Sequence, residues 1–253
     1  MPDAAINGPT IHYEIAGHGS PLVLLHGIGS NSRSWRRQLA GLSSDFRVIA
    51  WDAPGYGGSS DPAGKPSMRY YADCLRGLLD NLGISRMFLL GHSTGGVVAQ
   101  EFYRAYPEYV RALILADTRY LGSKSPLDQR IKSIRSMTPA ELARERAPRL
   151  LTVAAPREMI DEVTHIMSMI RPAGYEFAAT ALFESDTRDV LKNLRVPTLL
   201  IWGAQDEITP LWDELPAGAR LKVIPGAGHL CYIEQPDQFN AIVREFLSED
   251  HSS

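Results

Sequence analysis

Short apolar runs rich in Val, Ile and Leu alternate along this chain with segments whose apolar residues recur every three or four positions. The first pattern is typical of buried strands and the second of amphipathic helices. Their alternation predicts an α/β fold, in which a mostly parallel sheet is covered by helices on both faces. Strands are predicted at 10–15, 21–26, 46–51, 87–91, 112–116, 197–202 and 221–224, and helices at 35–42, 68–82, 95–106 and 237–247.

The alternation stops over residues 119–195, where proline, arginine, methionine and acidic residues mix in segments with short helical patterns. Because structureless loops of that length are rare in compact domains, we predict a helical lid at 119–195. The lid is inserted into a core formed by residues 1–118 and 196–253. Six apolar lid residues are candidates for lining a pocket, although helix packing alone also accounts for most of them: Met137, Met167, Met169, Ile170, Phe177 and Leu182.

Composition narrows the classes of partner. With 253 residues, 44% hydrophobic and 22% charged, the chain is long enough to bury a full core, and its net charge of −3 provides no basic field for nucleic acid or an anionic membrane. No apolar run approaches a membrane span and no signal peptide is recognisable, so we expect a cytoplasmic protein. Cys74 and Cys231 lack metal spacing and are expected to be buried free thiols. The sequence leaves open whether the chain forms a homo-oligomer.

Ser93 is the centre of a Gly-His-Ser-Thr-Gly pentapeptide that separates the apolar run 87–90 from the start of a helix. A sharp turn from strand to helix crowds the residues beside its centre, so glycines two positions on either side relieve the contact. Such a turn exposes the serine hydroxyl, and the helix that follows presents its first amides to negative charge. Ser93 is therefore the candidate nucleophile.

A serine hydroxyl needs an imidazole to accept its proton and a carboxylate to orient that imidazole. His229 lies in a glycine-rich loop after the last predicted strand, and Asp206 follows the strand before it. All three residues come after strands, where the carboxyl ends of a parallel sheet bring sites together. Asp117, after the strand at 112–116, is an alternative position for the acid, whereas Glu207 and Asp213 are expected to be solvated.

An acyl-transfer site also needs amides directed at the developing oxyanion. The backbone N–H of Thr94, directly after the nucleophile, is one predicted donor. The other is the N–H of Ile28, in a glycine-flanked turn that follows the strand at 21–26.

These motifs together resemble the α/β-hydrolase superfamily over nearly the whole chain. The resemblance implies an eight-stranded, mostly parallel sheet with an inserted helical lid. It rests on residues 25–29, 52–59, 91–96, 203–206 and 228–229. Length and lid are similar to those of 3-oxoadipate enol-lactone hydrolases and small carboxylesterases.

The resemblance implies hydrolysis of a small carboxylic ester or enol-lactone through an acyl-enzyme on Ser93, with no cofactor. Family members that open epoxides or cleave carbon–halogen bonds carry an aspartate at this position, which disfavours those reactions. The alternatives are a carbon–carbon bond hydrolase of ring-cleavage products, a cofactor-free perhydrolase and a non-catalytic receptor for a small ligand.

Four other polar or aromatic residues near these motifs are predicted to have structural roles. His26 and His92 flank strand ends and are expected to organise loops by hydrogen bonding. Asp52 is expected to cap backbone amides in the glycine-rich turn that follows it. Trp35 is expected to be a core anchor.

Arginine is the residue expected beside a substrate that carries a free carboxylate. Proximity in the sequence makes Arg33, Arg119 and Arg135 the candidates. The other lid arginines are expected on solvated faces, among them Arg144, Arg146 and Arg149.

Overall fold

An eight-stranded sheet forms the centre of this computed structural model, which describes residues 2–6, 8–121 and 127–249. The strands are β1 (Asp3–Ala5), β2 (Thr10–Ala16), β3 (Ser20–Leu25), β4 (Phe46–Trp51), β5 (Met87–His92), β6 (Val110–Ala116), β7 (Thr198–Gly203) and β8 (Arg220–Ile224). All seven predicted strands are confirmed, with ends that differ by no more than two residues. The strand β1 was not predicted, because three residues with a single buried side chain give no periodic pattern.

The sheet is mostly parallel, as predicted. Its strand order is β1-β2-β4-β3-β5-β6-β7-β8. Strand β2 runs antiparallel to both of its neighbours, and every other pair is parallel. The carboxyl ends of β3, β5, β6 and β7 therefore lie along one edge, where the loops that follow them meet.

Apolar side chains cover both faces of the sheet. In β3, Val23 and Leu25 belong to one buried cluster, while Leu22 and Leu24 belong to the cluster on the other face. This assignment follows the two-residue period of a strand. The central strands are consequently apolar on both sides, as the parallel topology requires.

The four longer helices outside the 119–195 segment lie where the apolar periodicity predicts them, and one short helix was not predicted. The four are α1 (Arg36–Leu42), α2 (Met68–Asn81), α3 (Thr94–Ala105) and α10 (Pro236–Ser248), and the short one is α9 (Cys231–Glu234). The first cluster includes Leu75 of α2 and Phe102 of α3, and the second includes Leu39 of α1 and Phe239 of α10. Helices thus cover both faces. No helix in the described ranges has the length and apolar character needed to cross a membrane.

The segment between β6 and β7 is helical in its described part. Its helices are α4 (Leu127–Ser136), α5 (Pro139–Arg146), α6 (Arg157–Ser168), α7 (Pro172–Phe183) and α8 (Arg188–Lys192). The division of the chain into a core and a lid with the boundaries given above remains a prediction.

Close backbone contact holds α7 against the turn that follows β4. A Cβ atom on Gly174 would lie 2.6 Å from Cα of Gly55, so both positions need glycine for this approach. Just before α7, Arg171 donates hydrogen bonds to the carbonyl oxygens of Gly57 (2.8 Å) and Ser59 (2.6 Å). The helical segment is therefore fixed to a loop of the sheet.

The turn itself is organised by the buried carboxylate of Asp52, as predicted. Its Oδ1 accepts the amide of Ser32 at 2.7 Å, and its Oδ2 accepts the amide of Gly58 at 2.7 Å. Asp52 thus joins the loop after β4 to the loop after β3, which contains Ile28.

We expect Asp52→Ala to lower the free energy of unfolding by about 2–5 kcal/mol, because the buried Ser32 amide and the less buried Gly58 amide would both lose a charged acceptor. Urea unfolding would measure the loss. Asp61→Ala is the matched control, since Asp61 is exposed and pairs with Arg171, and its removal should cost about 0–1 kcal/mol. Equal losses in the two variants would contradict the capping role of Asp52.

Candidate active site

Ser93 lies in a strained turn between β5 and α3. Its backbone has φ 52° and ψ −121°, in the region that residues other than glycine rarely occupy. The amide of Ser93 donates to the carbonyl of Ala116 at 2.9 Å, and the hydroxyl of Thr118 donates to the carbonyl of Ser93. These bonds to the end of β6 and the residues after it hold the turn in place and leave the hydroxyl of Ser93 free to point away from the sheet.

Three glycines make this turn sterically feasible. A Cβ atom on Gly91 would lie 2.3 Å from the carbonyl oxygen of Gly95, and one on Gly95 would lie 2.2 Å from that of Leu25. A Cβ atom on Gly96 would lie 2.4 Å from Oγ1 of Thr118. The spacing recognised in the sequence therefore reflects the close approach of α3 to the strand ends.

The fold brings Ser93, His229 and Asp206 into one hydrogen-bonded chain. Nε2 of His229 lies 3.1 Å from Oγ of Ser93, and Nδ1 lies 2.9 Å from Oδ2 of Asp206. Because the carboxylate accepts the Nδ1 proton, Nε2 is left to accept the serine proton. The side chains of His229 and Asp206 are 5% and 0% exposed, so this pairing is shielded from water.

Asp206 is held as a carboxylate. Burial favours its neutral form, but the hydrogen bond from His229 and the electrostatic attraction of that ring outweigh burial and lower the pKa of Asp206. Its Oδ1 also accepts the amides of Ile208 (2.8 Å) and Thr209 (3.1 Å), which act in the same direction. The ionised acid therefore stabilises positive charge on His229.

Asp117, the alternative acid, lies near this chain without bonding to His229. Its Oδ1 accepts the amide of Gly203 at 2.9 Å, and its side chain is fully buried beside Cys231. Burial and the neighbouring charge of Asp206 raise the pKa of Asp117 well above its usual value. We infer that Asp117 is a neutral structural acid at the base of the site.

His92 and His26 organise the loops around the site, as predicted. Nε2 of His92 donates to the backbone carbonyl of His229 at 2.7 Å, and burial lowers the pKa of His92 to about 3, so its ring is neutral. Nδ1 of His26 donates to the carbonyl of Gly27 at 2.8 Å, while Nε2 accepts the amide of Ala53 at 3.0 Å. One histidine fixes the loop of His229 and the other fixes the loop of Ile28.

The two predicted oxyanion donors line the same cavity as Ser93 and His229. Within the described ranges, the amides of Thr94 and Ile28 donate to no protein acceptor. Thr94 is the first residue of α3, where an unpaired amide is expected. Both amides are therefore available to a ligand oxygen.

The cavity beside Ser93 has a volume of about 380 Å³. Of the six apolar residues proposed from the sequence, Met167 and Leu182 line it. Ile170 and Phe177 instead lie in the core cluster, and Met137 packs against that cluster. Met169, at the end of α6, does not line the cavity either. Helix packing thus accounts for Ile170, Phe177 and Met137, in line with the alternative given for these residues.

The prediction that an arginine lies beside the substrate is wrong for two of its three candidates. Arg33 is exposed and does not line the cavity, and Arg135 pairs with Glu176 at 2.8 Å on the surface. Of these three arginines, Arg119 is the one that lines the cavity. Its position three residues after the end of β6 places it at the edge of the sheet where the site lies.

The expectation of a solvated face is confirmed for Arg144 and Arg149 and is wrong for Arg146. Arg144 is exposed, but Arg146 is half-buried against Tyr175 and lines the cavity, and the exposed Arg149 reaches its margin. Arg130 of α4 lines the cavity too and was missed. Its spacing of four residues from Ile134, the one buried residue of α4, was a signal that it lies on the inward face.

The chain belongs to the alpha/beta hydrolase family, whose sequence model matches residues 22–242. This membership and the eight-stranded sheet confirm the resemblance and the fold class predicted from the motifs.

Particular relatives are esterases and lactonases by name. The chain is 29% identical over 235 residues to 3-oxoadipate enol-lactonase 2 of Acinetobacter baylyi, covering 89% of this chain and 88% of that protein. A thermophilic esterase from Thermogutta terrifontis, solved with malate bound, is 31% identical with a TM-score of 0.91 over 99% of this chain and 98% of that one. The enol-lactonase from Burkholderia xenovorans is 27% identical with a TM-score of 0.91, over 98% of this chain and 100% of that one.

We expect Asp117→Asn to change how stability depends on pH. Asp117 keeps its proton in the folded state above pH 3.8, its ordinary pKa, while the unfolded chain releases it, so this group lowers stability as pH rises. Asparagine does not titrate and tolerates the φ of 43° at this position. The variant should therefore gain stability relative to the natural chain by up to about 1.4 kcal/mol per pH unit between about pH 5 and 7.

Urea unfolding of both chains across this pH range would measure the difference. A difference that stayed constant with pH would mean that Asp117 is ionised in the folded protein.

Proposed function

We propose that this protein is a serine hydrolase that cleaves a carboxylic ester or lactone of a small molecule. The observation that carries the proposal is the hydrogen-bonded chain from Ser93 through His229 to Asp206, which opens into a cavity. The similarity to a thermophilic esterase and to enol-lactonases supports the same reaction class.

In the first half of the reaction, Oγ of Ser93 attacks the substrate carbonyl as Nε2 of His229 accepts the serine proton. The amides of Thr94 and Ile28 stabilise the oxyanion of the tetrahedral intermediate. Each such donor contributes on the order of 3 kcal/mol to the transition state. The carbon–oxygen bond to the alcohol then breaks, and the proton on His229 passes to the leaving oxygen.

In the second half, a water molecule attacks the acyl-enzyme while His229 accepts its proton. Collapse of the second tetrahedral intermediate releases the carboxylic acid, and the proton on His229 returns to Oγ of Ser93. In a lactone, the alcohol and the acid remain on one product. Asp206 stays ionised in both halves, and the reaction needs no cofactor.

We expect Ser93→Ala to lower kcat for 4-nitrophenyl butyrate by at least about 10⁴-fold, because the acyl-enzyme cannot form. Release of 4-nitrophenolate measures the rate. When the natural chain is treated with a fluorophosphonate, mass spectrometry should find the label on Ser93. Ser44→Ala is the control, since Ser44 is exposed and bonds to Asp45. Steady turnover by Ser93→Ala would reject the proposal.

The same assay separates the alternatives. A single slow turnover would favour a receptor, turnover confined to ring-fission dienoates would favour carbon–carbon hydrolysis, and activity that required peroxide would favour a perhydrolase. Each of these results would replace ester hydrolysis as the main function.

The identity of the acid is tested by comparing Asp206→Asn with Asp117→Asn. We expect Asp206→Asn to lower kcat by about 10⁴-fold, because asparagine neither holds the required tautomer of His229 nor stabilises its charge. Asp117 makes no bond to His229, so its variant should lose far less activity. A larger loss in Asp117→Asn would transfer the role of the acid to Asp117.

A further inference from the structure

Four arginines line the cavity beside Ser93, although the whole chain has a net charge of −3. They are Arg119, Arg130, Arg146 and Arg149. Among the described residues that line the cavity, Glu145 is the one that carries a carboxylate. Its side chain is exposed and lies 3.9 Å from Arg149. The cavity therefore carries an excess of positive charge.

The four arginines differ in the hydrogen bonds and ion pairs that they already form with protein groups. Arg149 lies beside Glu145, and Arg146 donates a hydrogen bond to the hydroxyl of Tyr175. Arg119 donates to the carbonyl of Ile208, which is neutral. Arg130 forms no hydrogen bond or ion pair with any residue in the described ranges. Arg119 and Arg130 thus lack a carboxylate partner within those ranges, and Arg130 is the less constrained of the two.

Arg119 and Arg130 are also close enough to repel each other. Burial, and then the positive charge of Arg130, lower the pKa of the Arg119 guanidinium. Two neighbouring cations in a partly buried site are unfavourable without an anion, because little water is present to screen them. The charge of Asp206 acts in the opposite direction on the pKa of Arg119 and offsets part of this repulsion. Arg130 has no ion-paired carboxylate within the described ranges, so its charge is left to be compensated by a ligand.

The three arginines that are at least partly buried come from different parts of the chain. Arg119 follows β6, Arg130 lies on α4 and Arg146 ends α5. Their convergence on one small cavity requires the helices to pack against the sheet. Solvated surface arginines do not need such an arrangement.

We propose that the cavity selects esters or lactones that carry a second, free carboxylate, and that Arg130 binds this carboxylate with the help of Arg119. Guanidinium groups bind carboxylates through paired, charge-assisted hydrogen bonds. The volume of about 380 Å³ lies near the lower limit for ligand pockets, so a small substrate that reaches Ser93 also comes near the arginines. The inference rests on the proposed ester hydrolysis for its reaction, and on the arginines for its substrate class.

The test uses two pairs of substrates that differ only in charge. Mono-4-nitrophenyl glutarate and 4-nitrophenyl methyl glutarate place the free or masked carboxylate on the acyl part. 4-Acetoxybenzoate and its methyl ester place it on the alcohol part. After subtraction of the uncatalysed rate, we expect kcat/KM for the anionic member of at least one pair to exceed that of its neutral partner by roughly tenfold or more.

Variants then assign the preference to Arg130. Arg130→Gln should lower the anionic-to-neutral ratio of kcat/KM by roughly tenfold, whereas Arg130→Lys, which keeps the charge, should retain part of the preference. The matched control is Arg157→Gln on α6, because Arg157 is exposed and pairs with Asp161 outside the cavity. A ratio of one or less in both pairs, or a ratio that does not change in Arg130→Gln, would overturn the proposal.

Binding separates this proposal from the proposed reaction. Calorimetric titration of the Ser93→Ala chain with glutarate should detect binding, and adding Arg130→Gln should weaken it by roughly tenfold. Glutarate binding without hydrolysis of any ester would reject the reaction and keep the carboxylate site. Ester hydrolysis without glutarate binding and without a charge preference would keep the reaction and reject the carboxylate site.

Discussion

The close approach of α3 to the ends of β3 and β5 and to the loop after β6 is the constraint on which the site depends. It requires glycine at positions 91, 95 and 96, where a Cβ atom would lie 2.2–2.4 Å from another atom. It also keeps Ser93 at a φ of 52°, a conformation that costs on the order of 1–3 kcal/mol and persists only under such packing. The same approach directs the serine hydroxyl away from the sheet and leaves the Thr94 amide unpaired.

Burial around this turn assigns different charge states to chemically similar groups. Two carboxyl groups lie near each other below the site, yet the pKa of Asp206 is lowered by His229 while burial and Asp206 raise the pKa of Asp117. His92 is kept neutral by burial, so it serves as a hydrogen-bond donor to the His229 loop. Environment thus separates the ionised acid from the neutral structural groups.

The sheet and the helices between β6 and β7 contribute different things to the cavity. The turns and loops that follow the strands carry Ser93, Asp206, His229 and the Ile28 amide, and the Thr94 amide begins α3. The helices provide apolar walls and most of the positive charge. Changes in these helices can therefore alter which molecules enter while the hydrogen-bonded chain of Ser93, His229 and Asp206 keeps its geometry, as is common where one fold supports several activities.

Periodicity alone predicted the seven longer strands and the four longer helices outside the 119–195 segment, because burying one face of each element imposes a regular apolar pattern. Local motifs likewise identified Ser93, Asp206 and His229, since a sharp turn needs glycines and a parallel sheet gathers the loops after its strands. The short strand β1 escaped, because its pairing with β2 depends on the partner strand and leaves little local pattern. The choice of Asp206 over Asp117 as the partner of His229 also required the fold, since both follow strands at the same edge. The inward position of Arg130 and Arg146 also required the fold, because the residues against which a helix packs decide how it is rotated about its axis.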